Sequence, residues 1–197
     1  MITVTILTKN SEKYLDEVLC ALRCFNEVLI FDNGSTDNTL TIAEKYPNVR
    51  IEKGPFKGFG KTHNHASWLA HNDWILSIDS DEVITPSLCE EIKGLQLDDS
   101  FVYSIPRHNE FNGKFIRWCG WYPDRVYRLY NRKKTQFTEA EVHEQVIIEN
   151  MTHIALKGAL KHYSYDTISD FLTKMQFYST LFATQHQGKK KSSPCKA

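Results

Sequence analysis

Charge of one sign is missing from this 197-residue chain, in which 24 Lys and Arg balance 24 Asp and Glu. No global field gathers nucleic acid, so any affinity for phosphates has to come from a local site. A long apolar run is missing too: nothing approaches the roughly 20 residues that a bilayer-spanning helix needs. The amino terminus, Met1-Ile2-Thr3-Val4-Thr5-Ile6-Leu7, has neither the basic start nor the apolar stretch of a signal peptide. These absences predict a soluble or peripheral protein. The five cysteines, Cys20, Cys24, Cys89, Cys119 and Cys195, form no C-x-x-C pair and no Cys/His quartet of the structural zinc type. Their odd number predicts reduced thiols in a cytoplasmic compartment. There is no internal repeat and no low-complexity linker.

What is present suffices for one core: 41% of residues are hydrophobic and 12% aromatic, which fits a single domain. Ile2 to Leu7 is β-branched and apolar, ends in Thr8-Lys9-Asn10, and precedes Tyr14, Leu15, Val18, Leu19 and Leu22 at helical spacing. Val28 to Phe31 repeats the strand signal. Asp32-Asn33-Gly34-Ser35-Thr36-Asp37 then turns into a helix through Leu40, Ile42 and Ala43, with Asp37 suited to capping it. A third strand at Val49–Ile51, a glycine-rich loop at 54–60 and a helix over Thr62–Ala70 lead to a fourth strand, Trp74–Ile78. Thr85-Pro86 opens a helix through Ile92. Strands alternating with short helices predict an α/β fold with a mostly parallel sheet, whose ligands bind beyond the carboxyl ends of the strands. From Phe101 to Ile148 the pattern changes to aromatic strands. From Thr167, Ile168, Phe171, Leu172, Met175, Tyr178 and Phe182 mark one face of an amphipathic helix, followed by Lys189-Lys190-Lys191.

Asp79, Ser80, Asp81 and Glu82 follow the fourth strand directly. Two carboxylates separated by one residue can hold a hard divalent cation whose remaining sites take diphosphate oxygens. An acidic turn in which Glu82 caps the next helix is the structural alternative, because D-x-D alone is too short to be diagnostic. Asp32 also sits just beyond a strand, so two acidic loops converge on one sheet edge. Asp32 can accept hydrogen bonds from a nucleobase or ribose, or shape its own turn.

Taken as an ordered set, Thr8-Lys9-Asn10, Asp32-Asn33-Gly34-Ser35-Thr36-Asp37, Gly58-Phe59-Gly60 with Asn64, and Asp79-Ser80-Asp81-Glu82 resemble glycosyltransferase family 2. Gly120-Trp121-Tyr122-Pro123-Asp124, Arg128-Leu129-Tyr130, Val142-His143-Glu144 and His162-Tyr163-Ser164-Tyr165 extend the resemblance to the lipopolysaccharide core β-1,4-glucosyltransferase subgroup. The resemblance implies a GT-A fold, Rossmann-like with flanking helices, spanning residues 1–197: a nucleotide-sugar half (about 1–100), an acceptor half (about 101–166) and a carboxyl-terminal helix with a basic tail (about 167–197).

It implies an inverting hexosyl transfer, with glucose from UDP-glucose as the expected case, assisted by Mg2+ or Mn2+ bound through Asp81 with Asp79. His143 is a further metal candidate, an acceptor-orienting group or a structural histidine. Nucleotide-sugar contacts are carried over to Thr8, Asn10, Asp32, Lys61, His63, Asn64, Asp79 and Ser80. At His63 the chain departs from relatives that place an arginine near the nucleotide, so a titratable group stands where a fixed charge is usual. Inversion needs a base to take the acceptor proton; Glu144 is the first candidate and Asp124 the second.

Trp118, Trp121 and Tyr122 are candidates for a sugar platform, and Arg125 and Arg128 for binding a phosphorylated acceptor or for surface ion pairs. The expected acceptor is a lipid-linked saccharide of the lipopolysaccharide or lipooligosaccharide inner core. This goes with peripheral contact on the cytoplasmic face of the inner membrane, and no nucleic acid partner is expected. The ending Ser192-Ser193-Pro194-Cys195-Lys196-Ala197 is abrupt enough to suggest a truncated chain. Three rivals stand beside this reading: transfer to another envelope glycan or protein, a non-catalytic nucleotide-sugar-binding module, and a nucleotidyltransferase, whose glycine-rich signature is missing from the first strand-helix turn.

Overall fold

The computed structural model describes residues 1–139 and 144–186. Its elements are β1 (Ile2–Thr8), α1 (Glu12–Ala21), β2 (Glu27–Asp32), α2 (Thr39–Ala43), β3 (Val49–Lys53), α3 (Phe59–Leu69), β4 (Trp74–Asp79), β5 (Glu82–Ile84), α4 (Pro86–Lys93), β6 (Phe101–Phe111), β7 (Lys114–Phe115), β8 (Arg125–Asn131), β9 (Thr152–Ala155), β10 (Leu160–Tyr165) and α5 (Ile168–His186). The strands run β3-β2-β1-β4-β8-β6-β10-β5. β3, β2, β1 and β4 are parallel, as expected of βαβ crossovers. β8 then joins β4 antiparallel, with Leu76 opposite Leu129, and β6 pairs antiparallel with β8. The sheet therefore has a parallel half and a mixed half that meet at β4 and β8.

Local sequence explains the elements. Every residue of β2 is buried, which suits a central strand covered on both faces. In α1 the buried residues Leu15, Val18 and Leu19 follow helical spacing and pack on the sheet. Thr85 caps α4 by accepting from the Leu88 amide at 3.3 Å, with Pro86 opening the helix. The capping role considered for Glu82 is therefore corrected: Glu82 lies on β5 and is fully buried. α3 begins earlier than the expected Thr62, because Gly58 adopts φ 92° and its carbonyl accepts from the Thr62 amide at 3.0 Å. Gly158 lets the β9–β10 connection lie on α4; a Cβ there would meet the Leu88 Cα at 2.4 Å.

One large core joins α1, α4 and the sheet; a smaller one gathers Ile75, Val102, Tyr130, Phe137 and Val146. Cys24 and Cys89 are paired sulfur to sulfur, with their Cα atoms 7.5 Å apart. The turn after α1 and helix α4 cover the same sheet face, which brings the two sulfurs together at a Cα separation beyond the usual disulfide span. Cys20 and Cys119 are free and exposed. The expected apolar face of α5 divides: Phe171 packs edge-on to Tyr165, while Ile168, Leu172 and Met175 lie exposed. No helix among the described residues is long and apolar enough to cross a membrane. Lys189 to Lys191 and Cys195 lie outside the described residues.

Candidate active site

The loops after β1, β2 and β4 meet at one edge of the sheet. Asp32, at the end of β2, is 1% exposed and holds its own turn. Its Oδ2 accepts from the Gly34 and Ser35 amides, both at 3.0 Å, and its Oδ1 accepts from Thr8 Oγ1 at 3.0 Å and from Ser35 Oγ. Burial alone would raise the Asp32 pKa; the bonds from Ser35, Gly34 and Thr8 outweigh it and hold the carboxyl below its ordinary range. Asn10 faces the same turn and accepts from the Thr36 amide at 2.8 Å. Asp37 accepts from the Thr39 amide at 3.0 Å, an Asx turn one residue ahead of the N-cap Asn38, which makes no side-chain cap of its own.

The second acidic loop is built differently. Asp79 accepts from Arg128 Nη2 at 2.5 Å, and Arg128 reaches on to Glu82 Oε1 at 3.1 Å. Arg107 Nη1 meets the same Glu82 oxygen at 3.1 Å, and its Nε donates to Asp124 Oδ2 at 2.8 Å. Burial works against the charge on Asp79, yet the Arg128 guanidinium holds its carboxyl well below the usual range. No arginine among the described residues bonds to Asp81: burial pushes its pKa up, and His162 only partly offsets this.

Asp81 is thus the carboxylate of this loop that no arginine among the described residues meets. His162 Nε2 stands 3.7 Å from Asp81 Oδ1, and His162 Nδ1 lies 2.6 Å from Asn109 Oδ1. Because both protons of the Asn109 amide go to acceptors, Trp121 O and Asp124 Oδ2, its oxygen must accept. His162 therefore donates from Nδ1 and presents Nε2 to Asp81. Asp81 and His162 are donor types that would suit a divalent ion, which would supply positive charge beside a diphosphate. Asp79, the second carboxylate expected at the metal, has Arg128 on its Oδ2. No group of three His, Cys, Asp or Glu side chains among the described residues makes a metal site by itself. His143, the other metal candidate, lies outside the described residues.

A cleft of about 870 Å³ brings Asp79, Ser80, Asp81, Asp124, Glu144 and His63 together. The two candidate bases differ. Asp124 takes hydrogen bonds at 2.8 Å from both Arg107 and Asn109 on one oxygen. Glu144 is half-buried, and burial raises its pKa, which brings a carboxylate closer to the range of a working base. His63 is 1% exposed, stacks on Phe137 with ring centres 4.6 Å apart, and lies 4.0 Å from Glu144. Burial pushes its pKa down to about 4, with Asp79 pulling the other way. The titratable charge expected at His63 is therefore absent near neutral pH.

Thr8, Asn10, Asp32, Lys61 and Asn64 do not line this cleft. Asn64 clamps Phe137 through bonds of 3.0 and 2.8 Å to its carbonyl and amide, and Lys61 is exposed, 3.7 Å from Glu139. Of the proposed platform, Trp121 lines the cleft against Tyr165, whereas Trp118 is 75% exposed. Arg125 ties β8 to Ser104 and to the Leu156 carbonyl. Arg107 received no role from sequence, Glu82 only a helix-capping one and His162 only a place in a family motif, while Arg128 was assigned to an acceptor or the surface. The available signal was an arginine at a buried position of an apolar strand, Arg128-Leu129-Tyr130.

A parallel sheet with an acidic loop after its fourth strand, continued by mixed strands that close a cleft, defines the GT-A glycosyltransferase architecture. The chain matches Glycosyl transferase family 2 over residues 3–153 and belongs to that family. It is 30% identical to an uncharacterized glycosyltransferase of Rickettsia conorii, over 98% of this chain and 73% of that protein. It is 27% identical to the lipopolysaccharide core biosynthesis glycosyltransferase LpsC of Rhizobium meliloti, over 91% of this chain and 69% of that protein. Among solved structures, TarS residues 1–349 of S. aureus in complex with UDP align with a TM-score of 0.59 at 20% identity. That match covers 89% of this chain but 63% of that structure, so the chain spans less than two thirds of it.

Proposed function

We propose that the chain transfers a hexose, with inversion, from a nucleoside diphosphate sugar to a saccharide of the lipopolysaccharide or lipooligosaccharide inner core, UDP-glucose being the expected donor. The observation that carries this is the meeting, in one cleft at the carboxyl ends of parallel strands, of Asp81 facing His162 with the separate carboxylates Glu144 and Asp124. A Mg2+ or Mn2+ ion held by Asp81 and His162 would supply positive charge beside the leaving diphosphate. Glu144 takes the proton of the attacking hydroxyl; Trp121 and Tyr165 offer a face for an acceptor ring. The nucleotide lies toward the loops that Asn10 and Asp32 order. Similarity to LpsC supports the core acceptor, and the exposed Ile168, Leu172 and Met175 of α5 support peripheral contact with the inner membrane, on which a lipid-linked acceptor resides.

Hydrolysis of a panel of nucleotide sugars by the wild type and by Asp81→Ala, with and without EDTA, tests the proposal. Selective turnover of one donor, abolished by EDTA and by the substitution, is the expected result. Binding of nucleotide sugars without turnover would favour a binding module instead.

A further inference from the structure

Glu82 has no place in the chemistry described above, yet among the described residues it is the most completely enclosed carboxylate beside the cleft, with 0% exposure. A buried carboxylate with no compensation costs several kcal/mol, and a short strand such as β5 would accept an apolar side chain at that position. What surrounds Glu82 is instead a full set of partners. Its Oε2 accepts from the Asp79 amide at 3.0 Å, and its Oε1 accepts from Arg107 and Arg128, each at 3.1 Å. Those two guanidiniums extend in different directions. Arg128 continues to Asp79, and Arg107 continues to Asp124.

We propose that Glu82 is a positioning residue that holds the Asp79-Ser80-Asp81 loop and Asp124 at a fixed separation through Arg128 and Arg107. The main-chain bond to Asp79 sets the path of the loop as it leaves β4. The shared oxygen keeps both arginines on one centre, so neither can swing fully onto its other carboxylate. β5 pairs with β10 so that Glu82 lies opposite His162, and the same residue thereby ties the loop to the strand carrying the histidine that faces Asp81. Loss of the Glu82 charge frees both guanidiniums, and displacements of about 1 Å at reacting groups cost on the order of 10²-fold in rate.

The kinetic part of the test rests on the transferase proposal; the spectroscopic part does not. In Glu82→Gln, kcat for hydrolysis of the nucleotide sugar that the wild type turns over falls about 10²-fold. The donor KM stays within about threefold, the mark of an interaction that matters in the transition state. In ¹⁵N-arginine NMR, with signals assigned through Arg107→Lys and Arg128→Lys, the Nε–Hε resonances of both arginines shift together. Glu82→Asp, which keeps the charge but shortens the reach, serves if the glutamine variant does not fold, and the same pattern is expected of it. An unchanged kcat, a fall in kcat matched by loss of UDP binding, a shift of one arginine only, or failure of both variants to fold would overturn the proposal. If the wild type turns over no nucleotide sugar, the transferase reading fails by itself and the arginine spectra alone decide the role of Glu82.

Discussion

The two acidic loops at the sheet edge resemble each other in sequence and differ in how their charge is held. Asp32 is satisfied by Gly34 and Ser35, two and three residues away, and by Thr8 on the neighbouring strand. Asp79 and Glu82 are satisfied by Arg128 and Arg107, which arrive from β8 and β6 in the mixed half of the sheet. The first loop belongs to the parallel half and is stable by its own turn chemistry. The second depends on the two halves being assembled, and it is the one that opens on the cleft. Asp81, in the second loop, has no arginine on it among the described residues and faces His162 at 3.7 Å.

The largest effect is expected where the mixed half supplies chemistry. Glu144→Gln lowers transfer about 10²- to 10⁴-fold, the range for a lost general base, while circular dichroism and UDP binding persist. Near-normal turnover would move the assignment to Asp124, to be examined as Asp124→Asn. Next is a direct measure of the contrast between the loops, by urea unfolding of two variants side by side. Arg128→Met takes the guanidinium from Asp79, leaves the buried Glu82 with Arg107 alone, and costs about 3 kcal/mol. Asp32→Asn keeps an acceptor in the turn and costs about 1–3 kcal/mol. Equal losses would remove the distinction between a self-contained loop and one dependent on assembly.

His63 gives a pH signature. Its pKa falls from 6.5 to about 4 on folding, so the unfolded chain binds a proton that the native state refuses. The associated stability is present above pH 6.5 and is lost as pH falls through 4, on the order of 3 kcal/mol in all. His63→Gln should flatten that part of the stability–pH curve. At neutral pH the histidine is uncharged, so donor affinity should show no step between pH 6 and 8 that the substitution removes.

Much of the fold was legible because its signals are local. β2 reads as a continuous apolar run, α1 as a helical stripe, Thr85-Pro86 as a helix start, and the structure contains each of them. The acidic residues at strand ends were also legible, since an α/β sheet presents ligands there. The arginines were not. Glu82 and Arg128 are 46 residues apart, and nothing in the spacing says that β8 inserts beside β4. The same insertion brings Arg128 onto Asp79, a partner that spacing does not reveal.

His63 shows the limit from the other side, because substitution of an arginine by a histidine is visible in sequence, but the burial that makes it neutral is not. The sequence by itself determined the strand and helix pattern, the placing of carboxylates at the ends of β2 and β4, and the family. Tertiary structure alone decided which carboxylates are neutralised, which histidine faces Asp81 and which arginines meet at Glu82. Hydrophobic periodicity and turn chemistry act over a few residues, whereas the charge state of a buried group depends on whatever the fold brings within a few ångströms of it.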